Sequence, residues 1–117
     1  MTGLLMRTFG FFPVAGLSLG LLTALPLHAE PPAFELRIKD HQFTPSELKI
    51  PAGVKVRLVV HNDDPTPEEF ESHALNREKV IPGGSKAVIF IGPLKSGRYP
   101  FVGEIHEASA QGVLMVE

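Results

Sequence analysis

Apolar and polar positions alternate with a period of two through most of the chain beyond residue 30. Phe34, Leu36 and Ile38 interleave with Glu35, Arg37 and Lys39, which predicts a first strand with one buried face. Leu48 and Ile50 mark a short second strand. Val54, Val56, Leu58 and Val60 interleave with Lys55, Arg57, Val59 and His61 in the clearest strand of the chain. Residues 68–75 read as extended, and 78–81 as another short strand. Residues 87–91 form an uninterrupted apolar run, the pattern of a strand buried on both faces. The chain closes on Tyr99, Phe101, Gly103 and Ile105, alternating with Arg98, Pro100, Val102 and Glu104. After a short loop, Gly112, Leu114 and Val116 resume the alternation.

Turn chemistry separates these runs. Pro51-Ala52-Gly53 and Pro82-Gly83-Gly84 are tight turns, and Asp40–Pro45 is a turn-rich connector. The cluster from Asn62 to Pro67, with two prolines, forbids strand and helix interior alike and must be a loop. About eight short strands result, with no convincing helical periodicity; residues 69–79 are the one stretch able to hold a helical turn. That spacing predicts an all-β sandwich or barrel. The expected interior is Phe34, Leu36, Ile38, Val54, Val56, Leu58, Val60, Phe90, Tyr99, Phe101, Leu114 and Val116.

Composition narrows the function. Residues 1–29 carry a lone Arg7, an apolar run from Phe9 to Leu25, and Leu27-His28-Ala29 ahead of Glu30. These are the parts of a secretory signal peptide, so residues 30–117 are the expected mature domain, exported to the periplasm and not embedded in a membrane. The chain has no cysteine, which removes disulfides, thiolate metal sites and iron–sulfur clusters together. A net charge of -2 without a basic block argues against nucleic-acid binding. No nucleophile elbow, P-loop or dinucleotide fingerprint is present, so an enzyme is not expected.

The chemistry the chain does offer is metal ligation by oxygen and imidazole. The loop between the last two strands carries Glu104, His106 and Glu107. The segment after the proline-rich loop carries Glu68, Glu69 and Glu71, and His41 stands in the first connector. If residues 68–71 are extended, Glu69 and Glu71 share one side while Glu68 and Phe70 take the other. With Phe70 in the core, only a bulge or turn would bring Glu69 and Glu71 inward.

The final hairpin resembles the metal-binding hairpin of the cupredoxins, in which an aromatic strand leads through a Cys-x-x-His loop into a Gly-x-Val-type strand. Tyr99 and Phe101 stand at the aromatics, His106 at the histidine and Gly112-Val113-Leu114 at the closing strand; Gly103 stands where the cysteine would be. Asn62 matches the family's asparagine, while carboxylates replace the ligand histidine that follows it. Glu69-Phe70-Glu71 is similar to the Glu-aromatic-Glu segment of small periplasmic cupredoxin-like proteins, and of the EfeO-type cupredoxin domain, that accompany bacterial ferrous-iron uptake systems. The resemblance implies a Greek-key β-sandwich holding one transition-metal ion. Its implied ligands are Glu69, Glu71, Glu104 and His106, and its implied partners are components of a periplasmic or inner-membrane iron-transport system. Without a thiolate the blue-copper ligand set is impossible. The remaining donors suit Cu(II) first, and are compatible with iron, manganese or zinc. The alternative is a metal-free interaction module that docks on a membrane transporter, its site degenerate without the cysteine.

Overall fold

The computed structural model describes residues 29–117. The signal peptide expected over residues 1–29 therefore lies, but for its last residue, outside the described part. Nine strands form two sheets, with no α-helix among the described residues. They are β1 (Ala33–Lys39), β2 (Gln42–Thr44), β3 (Glu47–Ile50), β4 (Val56–Asn62), β5 (Glu68–Ser72), β6 (Arg77–Ile81), β7 (Lys86–Ile91), β8 (Gly97–Gly103) and β9 (Gln111–Val116). One sheet has the order β2-β1-β4-β7 and the other β3-β9-β8-β5-β6. β1 runs parallel to β4 and β3 parallel to β9, while the other pairs are antiparallel.

The inner faces build one core. On β4 the alternation buries Val56, Leu58, Val60 and Asn62 and leaves Arg57, Val59 and His61 on the outer face. Across the sandwich, Phe43 stands edge-on to Phe101 at 4.9 Å, and Phe101 lies nearly parallel to Phe70 at 5.2 Å. Such aromatic pairs contribute beyond their buried area.

Several expected positions fall differently. The run 87–91 is not buried on both faces: Ile89 and Ile91 enter the core, whereas Val88 and Phe90 are exposed. β7 is the edge of its sheet, and among the described residues no second layer covers its outer side. Val54 is exposed as well, because Gly53, at φ +73°, keeps the chain turning until Val56. Phe34 and Tyr99 are half-buried against the core. Ile105 is 52% exposed, since β8 ends at Gly103 and Glu104–His106 winds into a 3-10 turn. The ninth strand is β2, inside the segment read as a connector. Residues 73–76 turn between β5 and β6 without forming a helix.

Candidate metal centre

Three loops converge at one end of the sandwich. The first joins β1 to β2 through Asp40 and His41, with Lys39 and Gln42 paired on either side. Both turn residues have positive φ, +52° and +57°, as a two-residue hairpin turn of the I′ kind requires. Neither is glycine, so the turn carries backbone strain. The carboxylate of Asp64, in the β4–β5 loop, accepts the Asp40 N–H at 2.7 Å and the His41 N–H at 2.9 Å. Asp64 Oδ2 also lies 3.4 Å from His41 Nδ1. The His41 N–H holds the Asp64 carboxyl below its ordinary range, against the effect of burial and with help from the Asp40 N–H.

Asn62 shapes the second loop. It is 1% exposed, donates to the carbonyls of Thr66 and Ile81, and accepts the Asp64 N–H. The loop delivers Glu68 at the start of β5, on the inward parity shared with Phe70 and Ser72. Glu68 is a fully buried carboxylate with three donors. Its Oε1 accepts the N–H groups of Glu69 and Ile105, each at 2.9 Å, and its Oε2 lies 2.8 Å from His106 Nδ1. Burying such a charge is tolerable only with partners of this kind.

The third loop presents His106 from the 3-10 turn, whose last carbonyl accepts the N–H of Ala110 at 2.8 Å. The His106 ring stacks on that of His41, centroids 3.6 Å apart and planes within 13°. Ser109 ties the two loops together by donating its hydroxyl to the His41 carbonyl at 2.7 Å. His41, Glu68 and His106 each offer a ligand atom, and these atoms lie within 4.8 Å of one another.

Gly103 explains how Glu68 fits. A Cβ at residue 103 would stand 2.7 Å from Glu68 Cδ and 2.7 Å from Ala110 Cβ. The carboxylate fills the space that a side chain on β8 would enter. Where the resemblance places the cupredoxin cysteine, this chain has no side chain, and the space is taken by a carboxylate reaching over from β5.

The residues expected as one ligand set, Glu69, Glu71, Glu104 and His106, are not brought to one point. Phe70 is anchored in the core, and that parity sends Glu69 and Glu71 to the outer face of their sheet. There they meet Glu104 and Glu78, with oxygens of all four within 4.8 Å of one another. His106 stands instead with Glu68 and His41. Glu107 is exposed and borders a shallow groove on the same outer face as Glu71 and Glu104. His61 pairs with Glu35 at 2.5 Å on the outer face of the other sheet, and the fully exposed His73 lies 3.1 Å from Glu71.

Crowding perturbs the outer carboxylates. Desolvation first, then the hydrogen bond with Glu78 and the charge of Glu104, raise Glu69 from 4.5 to about 7; Glu71 is raised chiefly by its hydrogen bond with Glu104. A folded-state pKa above the unfolded one gives stability that is full below the unfolded value and lost as pH rises through about 7. Glu69→Gln should therefore raise the thermal midpoint at about pH 8 and leave it unchanged at about pH 4. Equal midpoints at both pH values would show that the crowding is relieved in solution.

A two-sheet β-sandwich whose loop end gathers histidine and carboxylate is a cupredoxin-like architecture. The chain belongs to the cupredoxin-like domain family, whose model matches residues 13–116. An uncharacterized protein of Rickettsia prowazekii (strain Madrid E) is 44% identical over 82 residues, which span 70% of this chain and 66% of that protein. The metal binding domain of the Streptococcus pneumoniae D39 Cu(I) exporting P-type ATPase CopA superposes with a TM-score of 0.65 at 16% identity, covering 73% of this chain and 84% of that one. Auracyanin A, a "blue" copper protein from Chloroflexus aurantiacus, gives 0.63 at 15% identity, covering 75% and 100%. At these identities the likeness to the solved structures is one of fold.

Proposed function

We propose that this is an exported copper-binding protein that takes one Cu(II) ion between His41, Glu68 and His106. The observation that carries the reading is the meeting of these three side chains at the loop end of a cupredoxin-like sandwich. The donor set fits a divalent ion. Imidazole nitrogen and carboxylate oxygen both ligate divalent ions, and an ion held by His106 Nδ1 and Glu68 Oε2 would take the place of the hydrogen bond they now share at 2.8 Å. The two imidazoles are stacked nearly parallel, 3.6 Å apart, and the His41 side chain is 41% exposed; for both rings to hold one ion, His41 would have to leave the stack. When bound, the ion would supply a Lewis-acid or one-electron redox centre. The chain's own part is to hold two imidazoles and a buried anion and to keep water from Glu68.

Copper in two structural neighbours supports the choice of metal: the CopA domain holds Cu(I), and auracyanin A is a "blue" copper protein. The oxygen and imidazole donors favour Cu(II) over Cu(I), and with no cysteine in the chain the complex should be pale rather than intensely blue. The residue pattern of 1–29 supports export to the periplasm, where N-terminal sequencing of protein from its native host should begin at or near Glu30. Intact Met1 on a membrane-bound species would replace this with an anchored form. The EfeO-like Glu69-Phe70-Glu71 segment supports a place beside a ferrous-iron uptake system. The metal content of the protein as isolated tests the whole reading. About one copper per chain is the expected result, and a metal-free protein that also fails to take up Cu(II) would favour the interaction-module alternative.

A further inference from the structure

Asp64 is a buried carboxylate that belongs to neither group of candidate ligands, yet its hydrogen bonds are all spent on one two-residue turn. We propose that Asp64 is the positioning residue of the metal centre, holding the Asp40–His41 turn so that the His41 imidazole is presented to Glu68 and His106. This inference rests on the copper-binding reading above.

The argument starts from the backbone. Two successive non-glycine residues at φ +52° and +57° occupy a region that L-residues visit reluctantly. In that conformation their N–H groups point the same way and form a small anion-binding concavity. Asp64 supplies the anion from a loop 23 residues further along the chain. Its two oxygens take one N–H each, a pairing that a neutral amide cannot reproduce, because one of its two polar atoms is itself a donor.

Asp64 is in turn immobilised from behind. Its own N–H is held by Asn62 Oδ1 at 3.1 Å, and its carbonyl accepts the Gly84 N–H at 2.9 Å. The β6–β7 turn packs so closely there that a Cβ at Gly83 would fall 2.2 Å from the Pro65 carbonyl oxygen. The position of the His41 backbone is thereby held through Asp64 by Asn62 and the β6–β7 turn. Its ring keeps freedom about its side-chain bonds.

The test uses the full chain with Cu(II) alone as probe, comparing wild type, Asp64→Asn, His41→Ala and the double variant. Asp64→Asn should weaken Cu(II) binding at least tenfold and reduce the coordinated imidazoles counted by pulsed electron paramagnetic resonance from two to one. Amide exchange at Asp40 and His41 should accelerate while core amides stay protected, which separates loss of the turn from unfolding. Adding His41→Ala to Asp64→Asn should cost nothing further, because both act through one imidazole. If Asp64→Asn unfolds the chain, Asp40→Gly in the same background relieves the positive φ and should restore folding along with part of the affinity. Wild-type affinity with two imidazoles in Asp64→Asn, or additive losses in the double variant, overturns the proposal while leaving the copper site standing. A wild-type chain that binds no Cu(II) overturns the copper reading, and this inference with it.

Discussion

Phe101→Ala should lower the unfolding free energy by about 3–5 kcal/mol, the range for deleting a buried aromatic ring. Phe101 is 2% exposed, edge-on to Phe43 and nearly parallel to Phe70. These three rings come from β8, β2 and β5, so one truncation loosens three elements together. The ring is also held from the far side, where a Cβ at Gly112 would stand 2.4 Å from its Cζ; Gly112, paired opposite Phe101 on β9, offers no side chain with which to refill the gap. Chemical denaturation reads the loss directly. An unchanged midpoint would mean that Phe101 does not fill the interior between the sheets. Because β8 leads through Gly103 into His106, the same variant should also hold copper less tightly.

The second large effect concerns the metal centre. His41→Ala and His106→Ala should each weaken Cu(II) binding at least tenfold in competition titrations. His61→Ala and His73→Ala should leave it unchanged, since His61 faces outward beside Glu35 and His73 is fully exposed beside Glu71. Glu69→Gln should also leave this site unchanged, its side chain lying on the outer face with Glu71, Glu78 and Glu104. Binding should fade on acidification, because protons compete with a metal ion for imidazole and carboxylate ligands. Equal losses from all four histidine substitutions would mean nonspecific surface binding.

Much of the fold could be read from period-two alternation because most strands bury only one face. β4 is the clear case, with every second residue buried from Val56 to Asn62. The same logic misled at β7, where an edge strand of a two-layer protein carries Val88 and Phe90 outward. Apolar runs do not reveal whether a second layer exists. β2 escaped notice because its hairpin uses Asp40-His41, without the glycine that usually announces such a turn.

At the site, parity along β5 was legible: Phe70 in the core places Glu68 inward and Glu69 and Glu71 outward. Less visible was that the inward position at the start of β5 opens onto the loop end, where a charge finds partners. Those partners, the Ile105 N–H and His106, lie 37 and 38 residues away. His41 lies 65 residues before His106 in the sequence; the parallel pairing of β1 with β4 brings the first loop to the same end as the second, and Ser109 of the third loop donates to the His41 carbonyl. No local pattern records that contact.

Glu68 and Gly103 also constrain how this protein can change. A thiolate cannot be introduced here by one substitution, since Gly103→Cys would drive its Cβ into the Glu68 carboxylate and the Ala110 methyl group. Removing Glu68 first would leave the part-buried N–H groups of Glu69 and Ile105 without their acceptor, beside a void. Each single step passes through a damaged intermediate, so the two positions must change together. Selection on stability alone would therefore keep this carboxylate and this glycine together, and with them the oxygen and imidazole character of the loop end.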